Sequence, residues 1–183
     1  PAFNCPEAKK SPFMLGGKGE KTCLILIAGD RGLAGGYNAN IFRAVKEFEN
    51  CEIIPIGKKA CERYKQPFIS AEKFDYAKAI ELATKLCEDY KQGKYKNVAV
   101  LGTKYVSMLS QEPRFTEIFP LKAPQKASDS SSIFEPDEIT IFNTIIPSFV
   151  AGILVSQVRE SFASEIAARR CAMDSAGKNA QQM

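Results

Sequence analysis

Four glycines within eight residues form the stretch of this sequence best placed to do chemistry. Gly29, Gly32, Gly35 and Gly36 follow the apolar run TCLILIA, residues 22–28, and precede a segment in which Ile41, Phe42, Val45 and Phe48 share one helical face. A glycine turn between a strand and a helix can present backbone N–H groups and the positive end of the helix to a phosphate. The spacing here is Gly29-x-x-Gly32-x-x-Gly35, which is neither GxGxxG nor a loop ending in GK[ST]. Asp30 also puts a negative charge where a phosphate would sit, with Arg31 beside it to offset that charge. The first reading is therefore a tight structural turn, whose glycines supply positive φ angles and close helix–strand packing. A nucleotide-binding α/β enzyme using Gly29–Gly36 stays open as the alternative.

Other catalytic chemistry finds little support. The chain has no histidine, which removes Ser-His-Asp and Cys-His catalysis and histidine-based zinc sites. Its six cysteines include no CxxC pair, so no metal centre is expected, and Cys23, Cys51 and Cys87 fall at apolar positions that suit buried free thiols. The carboxylates are dispersed rather than paired, and no cofactor is expected. Glu165 and Arg169 stand four apart on a helical pattern. That pair either supports its own helix by about 0.2–0.5 kcal/mol or frees Arg169 to reach another helix.

The net charge of +4 is spread along the chain, unlike the clustered stripe of a nucleic-acid footprint. The longest apolar run without glycine or proline, Cys23–Ala28, is far short of the roughly 20 residues of a spanning helix. Membrane association would have to come through partners.

The elements that must position the loop read as strand, helix, strand, helix, strand. Thr22–Ala28, Cys51–Gly57 and Asn97–Gly102 are predicted strands; the unbroken apolar runs suit a parallel sheet covered on both faces. Residues 58–65 form a short helix, and 67–74 an edge strand. Asp75 caps a helix that Gly93 stops. Asn38 is predicted to cap the helix after the glycine loop, residues 103–111 fit no single pattern, and 114–122 read as a strand. The fold class is α/β, a doubly wound, mostly parallel, Rossmann-like sheet with a long projecting C-terminal helix forming half of a coiled coil. The divisions are an extended lead-in at 1–21, an α/β domain at 22–134 and the long helix at 135–183. The lead-in is expected to follow further residues upstream.

That helix carries the clearest pattern. Thirty-six residues without proline follow Pro147, roughly 55 Å if all are helical. Phe149, Val150, Ile153, Leu154, Val155 and Val158 make a broad apolar face. From Phe162 the repeat narrows to Phe162, Ile166, Arg169, Met173, Ala176, Ala180 and Met183, with gaps alternating four and three as in a coiled coil. Small residues would let a partner helix come close, and Arg169 would fix its register. A helical adaptor with an α/β head would share this seam.

Three motifs carry a resemblance. ASEIAARRCAMDSAGKNA, residues 163–180, resembles the pattern A-S-E-x-x-A-R-M-x-A-M-x-x-A-x-x-N-A of the gamma subunit of the rotary F-type ATP synthase, departing from it at Arg170. IAGDRGLAGGYN, residues 27–38, is similar to that family's S-D-R-G-L-C-G-G-x-N, with Ala28-Gly29 before the aspartate and Ala34 in place of a frequent cysteine. FEPDEI, residues 134–139, resembles the segment that opens the family's last helix. The resemblance runs from about Lys21 onward. It implies a bacterial-like, non-catalytic central-stalk subunit coupling proton flow to ATP synthesis, peripheral on the cytoplasmic face of the cell membrane. The implied partners are the epsilon subunit, the membrane ring of c subunits and the alpha/beta catalytic hexamer. Phe134 and Glu135 would meet the ring or epsilon. Ile166, Arg169, Met173, Ala176 and Ala180 would meet partner helices, first among them the family's N-terminal helix.

Overall fold

The computed structural model describes residues 11–122 and 138–182. Its centre is β1, Lys21–Ile27, buried without interruption from Cys23 to Ile27. A strand with no polar position in its middle has to be covered on both faces. Successive side chains alternate between those faces. Cys23, Ile25 and Ile27 enter one hydrophobic layer, while Leu24, Leu26 and Ala28 enter the other.

Two strands flank β1 in parallel. β2, Cys51–Ile56, places Ile53 beside Leu24, and β3, Tyr95–Tyr105, places Ala99 beside it on the other side. β4, Gln111–Phe119, runs antiparallel to β3 with Arg114 opposite Gly102, so the strand order is β2-β1-β3-β4. One layer of helices is α1, Tyr37–Val45, with α2, Lys58–Tyr64; Ile41, Val45 and Ala60 seal Leu24 and Leu26. The other layer is α3, Tyr76–Lys91, with α4, Glu138–Gln182. The expected doubly wound sheet is therefore present, with a single antiparallel strand at its edge.

The helix signals acted locally in α3. The Asp75 carboxylate accepts the Lys78 N–H at 3.0 Å, and Gly93 leaves the helix at φ +78°. Ala79 and Ala83 are buried and small, which lets α4 lie close. α4 has 45 residues, about 68 Å at the usual rise. Pro147 sits inside it, so the helix continues through that residue. Ile146, Val150, Leu154 and Val158 are fully or almost fully buried at helical spacing against the domain. From Met173 to Gln182 every residue is exposed, so the last turns run clear of the domain.

Three expectations change, and one stretch left open resolves. Residues 67–74 form no strand: the Ala71 and Glu72 N–H groups donate to the Asp30 carboxylate, not to a neighbouring strand. Residues 103–111 divide between the end of β3, a turn and the start of β4. α1 begins at Tyr37 with Gly36 at the cap, and Asn38 turns its amide oxygen to the Gly29 N–H at 2.9 Å instead of capping. The lead-in also supplies core: Phe13 is fully buried, its ring 5.0 Å from that of Phe119 and 6.2 Å from that of Tyr90.

Candidate functional site

The glycine loop leaves β1 at the carboxyl edge of the sheet, where doubly wound folds bind their ligands. Its charged residues are engaged by the chain itself. Asp30 accepts four hydrogen bonds, from the N–H groups of Lys58 at 2.9 Å, Ala71 at 3.1 Å and Glu72 at 3.0 Å and from the Ser70 hydroxyl at 2.7 Å. Burial pushes this carboxyl up, but those donors outweigh it and hold it below the ordinary carboxylate value. Arg31 pairs with Glu72 at 2.9 Å on the surface. The loop thus binds two other segments of the domain through one carboxylate.

α4 then crosses the loop. Its buried stripe continues in phase past Val158 but changes chemistry, to Ser161, Ser164 and Glu165, which are 0%, 0% and 1% exposed. The Glu165 carboxylate accepts the Arg31 N–H at 3.2 Å and pairs with Arg169, whose Nε donates to the Gly32 carbonyl at 3.3 Å. Ser161 Oγ accepts the Thr103 N–H at 2.9 Å, and the Tyr37 hydroxyl donates to the Ser161 carbonyl at 2.9 Å. Burial, chiefly, pushes the Tyr37 phenol above its ordinary value, so it stays a donor. Nearly two turns past Glu165, Cys171 Sγ donates to the Met108 carbonyl at 3.0 Å.

These contacts explain the glycines. A Cβ on Gly29 would stand 2.7 Å from Glu165 Cδ, and one on Gly102 would stand 2.7 Å from Ser161 Oγ. Gly35 has φ +57° and lies beneath Ala172. The cleft left beside the loop is about 250 Å³, and no lysine or arginine is among its lining residues. That is smaller than the roughly 300–1,000 Å³ of ordinary ligand pockets. A phosphate in that cleft would find no cationic side chain in its lining. Among the described residues, no group of three or more His, Cys, Asp or Glu could hold a metal ion, and no helix is long and apolar enough to cross a membrane.

The predicted contact residues separate. Ile166 and Met173 are 48% and 43% exposed on the outer side of α4, and Ala176 and Ala180 are exposed beyond the domain. Arg169 pairs with the Glu165 carboxylate and donates to the Gly32 carbonyl of its own domain, with part of its side chain still exposed. Phe134 and Glu135 lie outside the described residues. Ser161 lies outside the motifs read from sequence, and Ser164 entered only as a match within residues 163–180. Their signal was phase, since both sit where the stripe from Val150 through Val158 next meets the domain.

The family model described as ATP synthase matches residues 3–183. An ATP synthase gamma chain from Ruminococcus albus is 36% identical over 179 residues, covering 87% of this chain and 62% of the relative. This chain belongs to the ATP synthase gamma-chain family. Another gamma chain, from Desulforudis audaxviator, is 30% identical over 201 residues, covering 95% of this chain and 68% of the relative. This member of the family thus spans about two thirds of the length of those curated relatives. Its fold is similar to a chain in the central stalk and c-ring structure of the Tetrahymena thermophila mitochondrial ATP synthase. There the TM-score is 0.73 at 19% identity, over 96% of this chain and 84% of that one.

Proposed function

We propose that this chain is the rotor segment of an ATP synthase central stalk, doing no bond chemistry of its own. Residues 22–134 would form the foot of the rotor and 135–183 a length of its shaft, with 1–21 leading in. The observation that carries the proposal is the course of α4. It fills the crevice where a doubly wound enzyme would bind its substrate, then runs on as bare helix from Met173 to Gln182. A shaft has to be stiff and to offer a face to its surroundings, and a second helix packed on that face would stiffen it.

On this reading the outer face of α4, with Ile166, Met173, Ala176 and Ala180, meets partner helices and the alpha/beta catalytic hexamer. Phe134 and Glu135 meet the epsilon subunit or the membrane ring of c subunits. Arg169 joins that face with the exposed part of its side chain while bonded to Glu165 and Gly32 within the chain. Turning the stalk past the catalytic subunits would couple proton flow to ATP synthesis. The chain would then be peripheral, held at the cytoplasmic face of the cell membrane through those partners.

The test is a graft. Residues 1–183 replace the matching region of a working gamma chain, and proton-driven ATP synthesis is measured in membranes. Restored synthesis is expected. An assembled complex without synthesis would overturn the proposal.

A further inference from the structure

A rotor fails if its shaft turns inside its foot. In α4 the apolar stretch from Ile146 to Val158 gives adhesion but little register, because contacts between aliphatic side chains have no preferred direction. The next two turns are different. Ser161 and Glu165 are buried acceptors facing two fixed backbone donors, the Thr103 N–H on β3 and the Arg31 N–H on the loop after β1. Arg169 closes the set on the Gly32 carbonyl, and Cys171 holds the Met108 carbonyl between β3 and β4. The contacts therefore reach α4 from separate segments of the domain. Slipping α4 by one residue would turn it by about 100°. It would carry the carboxylate off Arg31 and leave the buried Thr103 N–H without its acceptor. Gly29 and Gly102 supply the two hollows, since a side chain at either would strike Glu165 or Ser161.

We propose that Glu165, with Ser161 and Arg169, is a torsional latch that locks the shaft helix to the foot, so that the two turn as one body. Glu165 is the central positioning residue. The inference rests on the rotor reading and adds to it the place where torque crosses between the α/β domain and the helix.

The test uses the grafted gamma chain in the assembled synthase, reconstituted in vesicles, and the ratio of proton-driven ATP synthesis to ATP hydrolysis. Glu165→Ala is expected to lower that ratio at least threefold while hydrolysis persists, and Glu165→Gln to lower it less. A crosslink supplies the control. The Cβ built on Gly35 lies 3.7 Å from Ala172 Cβ, within the usual disulfide range of about 3.5–4.5 Å. The pair G35C and A172C, oxidised, is expected to restore the ratio in Glu165→Ala and to lose the rescue on reduction. With Glu165 intact, oxidising the same pair should leave the ratio of its reduced form unchanged, a comparison in which both forms carry the same strain at Gly35 and which tests the latch even if Glu165→Ala does not fold.

Full coupling in a folded Glu165→Ala chain would overturn the latch alone. So would a crosslink that forms without rescue, or one that, with Glu165 intact, stalls the chain relative to its own reduced form. An unsubstituted graft that restores no synthesis would overturn the rotor reading and the latch with it.

Discussion

Glu165 and Gly29, 136 positions apart in sequence, share one hollow: a Cβ on the glycine would stand 2.7 Å from the carboxyl carbon of the glutamate. The carboxylate has little room to yield, because it is 1% exposed and holds Arg31 and Arg169. Gly29→Ala should therefore cost about 1–3 kcal/mol, the usual price of overfilling a packed site. Denaturant unfolding measures it, and an unchanged midpoint would show that the carboxylate moves aside freely.

Ser161→Ala removes the acceptor of the buried Thr103 N–H. An orphaned buried donor costs about 1–3 kcal/mol. Ser175→Ala, on the exposed end of the same helix, removes only a bond to the Cys171 carbonyl and should stay within about 0.5 kcal/mol. Equal losses in the two variants would show that helix propensity, not the contact with β3, sets the cost.

Much of this architecture is legible one segment at a time. The apolar runs of β1 and β3 announce a sheet covered on both faces, and Asp75 and Gly93 mark both ends of α3. What sequence hid is every feature that depends on a distant partner. Glu165 and Arg169 look the same as an exposed helix pair until β1 delivers Arg31 and Gly32 to them. Asn38 follows the loop as a cap would, yet the Gly29 N–H takes its amide oxygen. Residues 67–74 look like a strand because nothing local shows that Asp30 will claim two of their N–H groups. The two motifs at 27–38 and 163–180 were both visible. Their contact was not, because it is made between distant segments that only the fold brings together.

Acid should weaken the fold through Asp30. Its carboxyl is held below the ordinary value in the folded chain, so the unfolded chain binds the proton first as pH drops. The stabilisation is complete above the unfolded value of about 3.9 and is lost as pH falls through the lower folded value. Asp30→Asn puts a donor against the Ser70 and Glu72 donors and should be less stable than the native chain at neutral pH. Thermal melts across pH should show a constant gap near neutrality that narrows below about pH 4. A gap independent of pH would mean that the charge contributes nothing.

The outer face of α4 should behave in the opposite way to the latch. Ile166 and Met173 are 48% and 43% exposed, so Ile166→Asp and Met173→Asp should change the stability of the chain alone by no more than about 0.5 kcal/mol. In the grafted gamma chain the same substitutions should reduce assembly with the other subunits, read by co-purification. Unimpaired assembly would remove these residues from the proposed contact face.

A nucleotide should find no site at the glycine loop. The cleft is about 250 Å³ and has no lysine or arginine in its lining, while the Arg31 and Glu72 backbone N–H groups near the loop already donate to Glu165 and Asp30. Any ligand that bound only the folded chain would raise its melting temperature, by about 2.7 kcal/mol of added stability at a hundred times its dissociation constant. Millimolar ATP or ADP is therefore expected to leave the melting temperature where it is. A rise that Gly35→Val abolishes would mean that α4 leaves the crevice to admit the nucleotide. The hydrogen bonds of Glu165 would then be one of two states rather than a permanent fixture.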